Sequence, residues 1–267
     1  TPGSLFGRVG WPTCSRHDDG PGWPGLVGRL MSGLAHELMA FDSREEATRF
    51  ATQFIVGGLE KALESKATAS LMVSGGSTPG GVFDALTSTE IDWARVMVGL
   101  VDERWVNPED DASNERLVRS RLLKGRAGSA GFLPMKTFDP APQAARTDRD
   151  MAYAPHCAPA DVVLLGMGED GHTASWFPGS AGLSEALASE TTIASIDATG
   201  CPVAGNHTQR MTLTGKAVTS AAAAILLIFG DSKKAVFEAA LTAPVDEKPV
   251  RFAIDKLGPR LTVVWAA

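Results

Sequence analysis

The sequence predicts an α/β fold, a doubly wound, mostly parallel sheet flanked by helices, and three observations carry that reading. Its apolar runs are short and nearly continuous rather than alternating, as strands covered on both faces require. Segments with helical spacing separate them, the order expected of a parallel sheet built from strand–helix–strand units. Polar loops follow several of the runs, at the carboxyl strand ends where such sheets bind ligands.

Ser43 opens a capping box with Glu46, and Ala47, Phe50, Ala51, Phe54, Ile55, Gly58 and Leu59 then recur at helical spacing. Strands are expected at 71–73, 96–101, 162–166, 192–196, 224–230 and 261–265. Helices are expected between them at 79–87, 113–123, 142–152, 182–189, 214–221 and 232–242. Residues 39–267 therefore form the expected single α/β domain. Residues 1–38 are rich in Gly and Pro and are expected to be an extension outside the core, with Met31 and Met39 as candidate starts. No basic stretch precedes an apolar core there, so a signal peptide is not expected.

The chain has 267 residues, a net charge of -6, 44% apolar and 21% charged residues. That length suits one large α/β domain, and the acidic balance makes nucleic acid an unexpected partner. A phosphorylated small molecule remains compatible, because Lys and Arg can converge locally. No apolar run reaches the roughly 18 residues of a membrane span. Cys14, Cys157 and Cys201 are too scattered for a disulfide framework, which points to a reducing cytoplasm. His156-Cys157 and Cys201 with His207 lack the further ligands that zinc needs, so no metal is expected.

Four loops follow strand ends. The first, SGGSTPGG, holds Ser74, Gly75, Gly76, Ser77 and Thr78, with Ser77 or Thr78 available to cap a helix starting at Pro79. It reads either as a phosphate cradle or as a tight strand-to-helix turn with no ligand. A P-loop lysine is missing, and Pro79 stands where a serine-hydrolase elbow needs glycine. The second loop, Asp102-Glu103-Arg104-Trp105, puts three charges at the end of a buried strand, where they must pair, bind a ligand or reach solvent.

The third loop lies in DVVLLGMGEDGHTASWFPGS, where Gly166, Gly168 and Gly171 spell the G-x-G-x-x-G of a dinucleotide turn. That turn needs a long helix after its third glycine, and Pro178-Gly179 ends any helix within about two turns. Glu169 and Asp170 would also face the phosphates. The alternative is an Asp170-x-His172 pair on a turn kept open by glycines. Histidine, with a reference pKa near ~6.5, can accept a proton from water at neutral pH. In the fourth loop, GDSKKAVFEAAL, Lys233 and Lys234 fall in a first helical turn, where a cation opposes the dipole unless an anion or solvent offsets it. Arg210, in QRMTLTG, is a further candidate partner for an anion.

With SGGSTPGG, DERWVNPEDDASNERL, LLGMGEDGHTASWFPG, RMTLT and FGDSKKA in this order, residues 40–267 resemble the bacterial 6-phosphogluconolactonases and their wider relatives, the glucosamine-6-phosphate deaminases. The resemblance implies a Rossmann-like sheet of the sugar-phosphate isomerase type. It also implies a cytoplasmic enzyme, monomeric or a weak homo-oligomer, that hydrolyses 6-phospho-D-glucono-1,5-lactone without metal or organic cofactor. His172 would be the general base, with Asp170, Asp102 and Glu103 shaping its pocket. Ser74 to Thr78 would hold the phosphate or the ring hydroxyls, and Arg104, Arg210 and Lys233 would supply positive charge. Lys233 is preferred to Lys234 because the family's lysine stands third after the glycine, here Gly230.

The deaminases usually read D-G-H-I-A-F-N-E-P, whereas Gly171-His172-Thr173-Ala174-Ser175 runs here into WFPG. A deaminase or isomerase, or a non-catalytic sugar-phosphate-binding protein, remains the alternative. Two departures stand out: Trp176 occupies a position where the family commonly has Leu, and CPVAGNHTQR lacks the usual paired prolines ahead of Arg210.

Overall fold

The computed structural model describes residues 29–31 and 38–267. Most of the expected N-terminal extension, residues 1–28 and 32–37, lies outside the described residues. Strand β1 (Arg29–Met31) pairs antiparallel with β2 (Leu38–Phe41), and Leu38 is fully buried. The described sheet therefore takes in Arg29–Met31 and Leu38, ahead of residue 39.

Helix α1 (Arg44–Ser65) starts where the sequence places it, with the Ser43 hydroxyl accepting from the Glu46 amide at 3.2 Å. Such a cap stabilises by about 1 kcal/mol. Its buried stripe, Ala47, Ala51, Ile55, Leu59 and Ala62, packs against β2 and against strands introduced next. Strand β3 (Ala69–Val73) leads to α2 (Gly80–Leu86), and β4 (Val96–Leu100) runs on almost directly into β5 (Asp102–Arg104). Helix α3 (Asn114–Arg121), strand β6 (Gly131–Leu133), helix α4 (Pro142–Cys157) and strand β7 (Val162–Leu165) follow. The second half comprises α5 (Leu183–Ala188), β8 (Ile193–Asp197), β9 (Gln209–Leu213), α6 (Gly215–Thr219), β10 (Ala223–Phe229), α7 (Asp231–Ala240), α8 (Val250–Leu257) and β11 (Leu261–Ala266).

The main sheet has the order β1-β2-β11-β10-β7-β3-β4-β6 and is parallel throughout except for β1. Strands β3 and β7 are buried at every position, which is why they read as unbroken apolar runs. No described helix is long and apolar enough to cross a membrane.

Three expectations need correction. The run at 192–196 is not a strand of the main sheet: as β8 it pairs antiparallel with β9, which pairs with β5 in a separate three-stranded sheet. A short apolar run carries no record of its pairing partner, so only the tertiary contacts separate the two sheets. The helix expected to end at 152 continues through Pro155 to Cys157. Its last turns are anchored by Tyr153, fully buried, whose hydroxyl donates to Leu133 O (2.9 Å) and accepts from Leu100 N (3.2 Å). Finally, α2 starts at Gly80 with no side-chain cap, so neither Ser77 nor Thr78 plays that part. The structure also adds α8, whose buried Val250, Ala253, Ile254 and Leu257 fall at helical spacing.

Val101 joins the two sheets. Its amide donates to Val73 O in β3 (2.9 Å), and its carbonyl accepts from Leu213 N in β9 (2.8 Å). The carboxyl end of a main-sheet strand is thus carried directly into the small sheet, which stands beside the loops that follow β3 and β7.

Candidate active site

The loops after β3, β4 and β7 and the start of α7 enclose a cavity of about 470 Å³. Ser74, Gly75, Gly76, Ser77 and Thr78 line it from β3, Asp102 and Arg104 from β5, and Gly166 to Glu169 with His172 to Ala174 from the loop after β7. Arg210 enters from β9, Lys233 from α7 and Asn114 from the first turn of α3. Among the described residues no three His, Cys, Asp or Glu side chains converge where a metal ion could sit.

His172, which lines the cavity, is paired with Asp170. His172 Nδ1 lies 2.6 Å from Asp170 Oδ1, and the His172 amide donates to the same oxygen at 3.1 Å. Burial pushes the Asp170 carboxyl up, but the hydrogen bonds and charge of His172 outweigh it and hold it below the ordinary carboxylate value. An ionised Asp170 accepts a hydrogen bond from Nδ1–H, which leaves Nε2 as the basic nitrogen. Both side chains stay about one-fifth exposed, so water can reach them. The Phe177 ring stacks against His172 at 4.3 Å, with the Arg210 guanidinium over that same ring at 5.2 Å.

The turn that presents this pair closes on itself: Gly168 N donates to His172 O (2.8 Å), and Thr173 Oγ1 donates to Gly166 O (2.8 Å). Lys248, just ahead of α8, braces it from outside by donating to Asp170 O at 3.0 Å. The next helix, α5, begins only at Leu183, so no helix N-terminus stands at these glycines to receive a pyrophosphate. A Cβ on Gly168 would overlap His172 Nδ1 and Asp170 Oδ1. Gly168→Ala is therefore expected to lower kcat about 10- to 100-fold by displacing the ring, since misplacement near 1 Å costs on that scale. Single-turnover kinetics alongside a melting curve check this, and an unchanged kcat would contradict it.

Electrostatics divide the cavity. Arg104 and Arg210 face each other directly across β5 and β9. Like charges in that register repel unless an anion lies between or beside them. Arg210 is 4% exposed, and burial pushes its guanidinium down to about 10, Asp102 opposing that shift from 3.8 Å and Arg104 reinforcing it. Its Nε donates to His207 O (2.6 Å) and its Nη2 to Ala204 O (3.3 Å), so the 201–208 segment is folded around it without paired prolines. Asp102 Oδ2 accepts from Ser175 Oγ at 2.6 Å. Burial lowers Lys233, against the opposing charges of Glu169 and Asp170.

These features coincide with a known family. A family model described as glucosamine-6-phosphate isomerases/6-phosphogluconolactonase matches residues 42–265. The chain belongs to this family. A 6-phosphogluconolactonase of Xylella fastidiosa (strain 9a5c) is 38% identical over 231 residues, covering 86% of this chain and 96% of that protein. One from Rhizobium meliloti (strain 1021) is 42% identical over 211 residues, 78% of this chain and 89% of that protein. The crystal structure of a 6-phosphogluconolactonase from Shewanella baltica OS155 superposes with a TM-score of 0.79 at 35% identity, covering 90% of this chain and all (100%) of that one. A monomeric glucosamine-6-phosphate deaminase, 19% identical with a TM-score of 0.68, shares the fold.

Within this family frame, the structure brings His172, Asp102, Arg104, Arg210, Lys233 and the 74–78 loop to one cavity, and Asp170 stands behind it, hydrogen-bonded to His172. Lys234 lies instead over the Trp265 ring at 4.7 Å. Glu103 is the correction: it is fully buried outside the cavity, accepting from Arg104 N, Asn114 N and Glu115 N (each 2.8 Å) and from Ser113 Oγ (3.1 Å). Side chains alternate along a strand, so Asp102 and Arg104 share one face of β5 and Glu103 takes the other. Burial pushes the Glu103 carboxyl up to about 7, opposed by those backbone donors. Trp176 is accommodated by full burial, with Nε1 donating to Leu213 O at 2.9 Å and the ring meeting Phe252 edge-on.

Asn114 and Phe177 also line the cavity, and Ser175 supports it from behind through Asp102; the sequence does not single them out as site residues. Three of the buried polar side-chain atoms without a partner among the described residues line this cavity: Ser74 Oγ, Arg104 Nε and Asn114 Oδ1. Buried polar groups are normally satisfied, so these three point to a ligand.

Proposed function

We propose that this chain is a 6-phosphogluconolactonase that hydrolyses 6-phospho-D-glucono-1,5-lactone to 6-phosphogluconate, with His172 as the general base. The observation that carries the reading is the Asp170–His172 pair, which leaves Nε2 free at the edge of a cavity furnished with cations. The names of the relatives support the same substrate.

In this reading Nε2 takes a proton from water as the oxygen attacks the lactone carbonyl carbon. The tetrahedral oxyanion is held by donors from the cavity, typically worth ~3 kcal/mol each elsewhere. Collapse of the intermediate breaks the bond from that carbon to the ring oxygen, and the imidazolium returns its proton to the departing alkoxide. The products are a carboxylic acid, which ionises, and a free hydroxyl. Asp170 stabilises the imidazolium throughout, and Phe177 limits the swing of the ring. Arg104, Arg210 and Lys233 bind the phosphate, while Ser74, Ser77 and Thr78 meet the ring hydroxyls.

The lactone opens spontaneously, so the decisive experiment is a coupled assay on freshly generated substrate against the no-enzyme rate. Hydrolysis well above background supports the proposal. Ammonia release from glucosamine 6-phosphate without lactone hydrolysis would overturn it in favour of a deaminase, and tight 6-phosphogluconate binding without turnover in favour of a sugar-phosphate-binding protein. Lys233→Ala is expected to raise KM about tenfold with kcat little changed, the loss of one charge-assisted hydrogen bond. An unchanged KM would remove Lys233 from the phosphate site.

A further inference from the structure

We infer that Asn114 is a specificity-determining residue of this site, a fixed acceptor that reads one hydroxyl of the lactone ring; the inference rests on the activity proposed above. Asn114 is 2% exposed and lines the cavity. Its Nδ2 donates to the Asp102 backbone carbonyl at 2.8 Å. A carbonyl can only accept, so the amide has one orientation, and Oδ1 is the atom left without a partner.

The residue is held from both ends. Its own amide is tied to Glu103 Oε1 at 2.8 Å, and the same carboxylate accepts from Ser113 Oγ and Glu115 N on either side. This is what the buried Glu103 does for the site: it locks the first turn of α3 so that Asn114 cannot turn away. On the far side Oδ1 packs against Gly75, where any Cβ would overlap it. That glycine clears a place for the amide beside Ser74, whose Oγ is also unpartnered.

The chemistry selects the occupant. Arg104, Arg210 and Lys233 are donors only and suit a phosphate, whereas Ser and Thr hydroxyls rotate to either role. Asp170 Oδ1 is committed to His172 and Asp102 Oδ2 to Ser175 and Arg210, while Asp102 Oδ1 lies 3.5 Å from Asn114 Nδ2. Asn114 Oδ1 is a buried acceptor that cannot rotate, so a phosphate oxygen would leave it unsatisfied and a ring hydroxyl satisfies it. A site built to accept from a substrate hydroxyl rejects analogues lacking that hydroxyl, because its own oxygen is left desolvated.

The test compares wild type, Asn114→Ala and Asn114→Ser on 6-phosphogluconolactone and on its 2-, 3- and 4-deoxy analogues, with melting temperatures measured in parallel. Two variants are used so that a folding defect in one leaves the other informative. Neither truncation touches the Ser113 and Glu103 contacts that start α3. For wild type, one deoxy analogue is expected to lose about 10- to 100-fold in kcat/KM. The variants are expected to show that loss already on the parent lactone and no further loss on that one analogue. A loss of equal size on every substrate, as a merely structural role would give, overturns the inference, and so does no loss at all. Wild-type protein inactive on the parent lactone would overturn the activity itself, a result readable before any variant is made.

Discussion

His172→Ala is expected to lower kcat for lactone hydrolysis by about 100-fold or more, the usual scale for removal of a general base. Affinity for 6-phosphogluconate should stay nearly intact, because the phosphate and hydroxyl contacts are assigned to other loops. The separation of kcat from affinity is the informative part. If the ring were only a packing element against Phe177, its truncation would lower the melting temperature and leave kcat within a few fold. Residual activity should match the spontaneous opening rate plus whatever the oxyanion donors supply without a base. Full retention of activity would remove His172 from the chemistry.

Asp170→Asn is expected to be nearly as damaging as loss of the histidine, with kcat down about 100-fold or more, although it is isosteric. Asp170 Oδ1 accepts from both the His172 ring and its amide. Because both contacts fall on that one oxygen, an asparagine oxygen in its place keeps them, and the NH2 takes the position of Oδ2. What is lost is the negative charge that stabilises the imidazolium formed when Nε2 takes a proton from water. This loss does not disturb the cavity, so KM should change less than kcat. A variant with wild-type kcat would show that Asp170 merely shapes the turn.

The glycine pattern after β7 illustrates how much local sequence could say. Pro178-Gly179 and the Glu169-Asp170 charges argue from the sequence against a dinucleotide turn, and Gly168 proves to be clearance for His172 and Asp170. Lys233 and Lys234 are not separated by local pattern; the resemblance favours Lys233, and in the structure Lys233 lines the cavity while Lys234 lies over the Trp265 ring. Glu103 points away from the cavity, unlike its two charged neighbours. Strand alternation alone distinguishes it from Asp102 and Arg104, had 102–104 been read as a strand rather than a loop.

By itself the sequence determined the class of sheet, the capped first helix and the loops that line the cavity, because apolar runs, capping residues and glycine–proline breaks act within a few residues of themselves. Only the tertiary structure decided that β8 and β9 leave the main sheet and that Arg104 stands opposite Arg210. It alone decided that Glu103 holds Asn114 into the cavity and that Trp176 has room to be buried. Each of these depends on which distant segment becomes a neighbour. Pairing is chosen by the free energy of the assembled whole, and no window of the chain contains it.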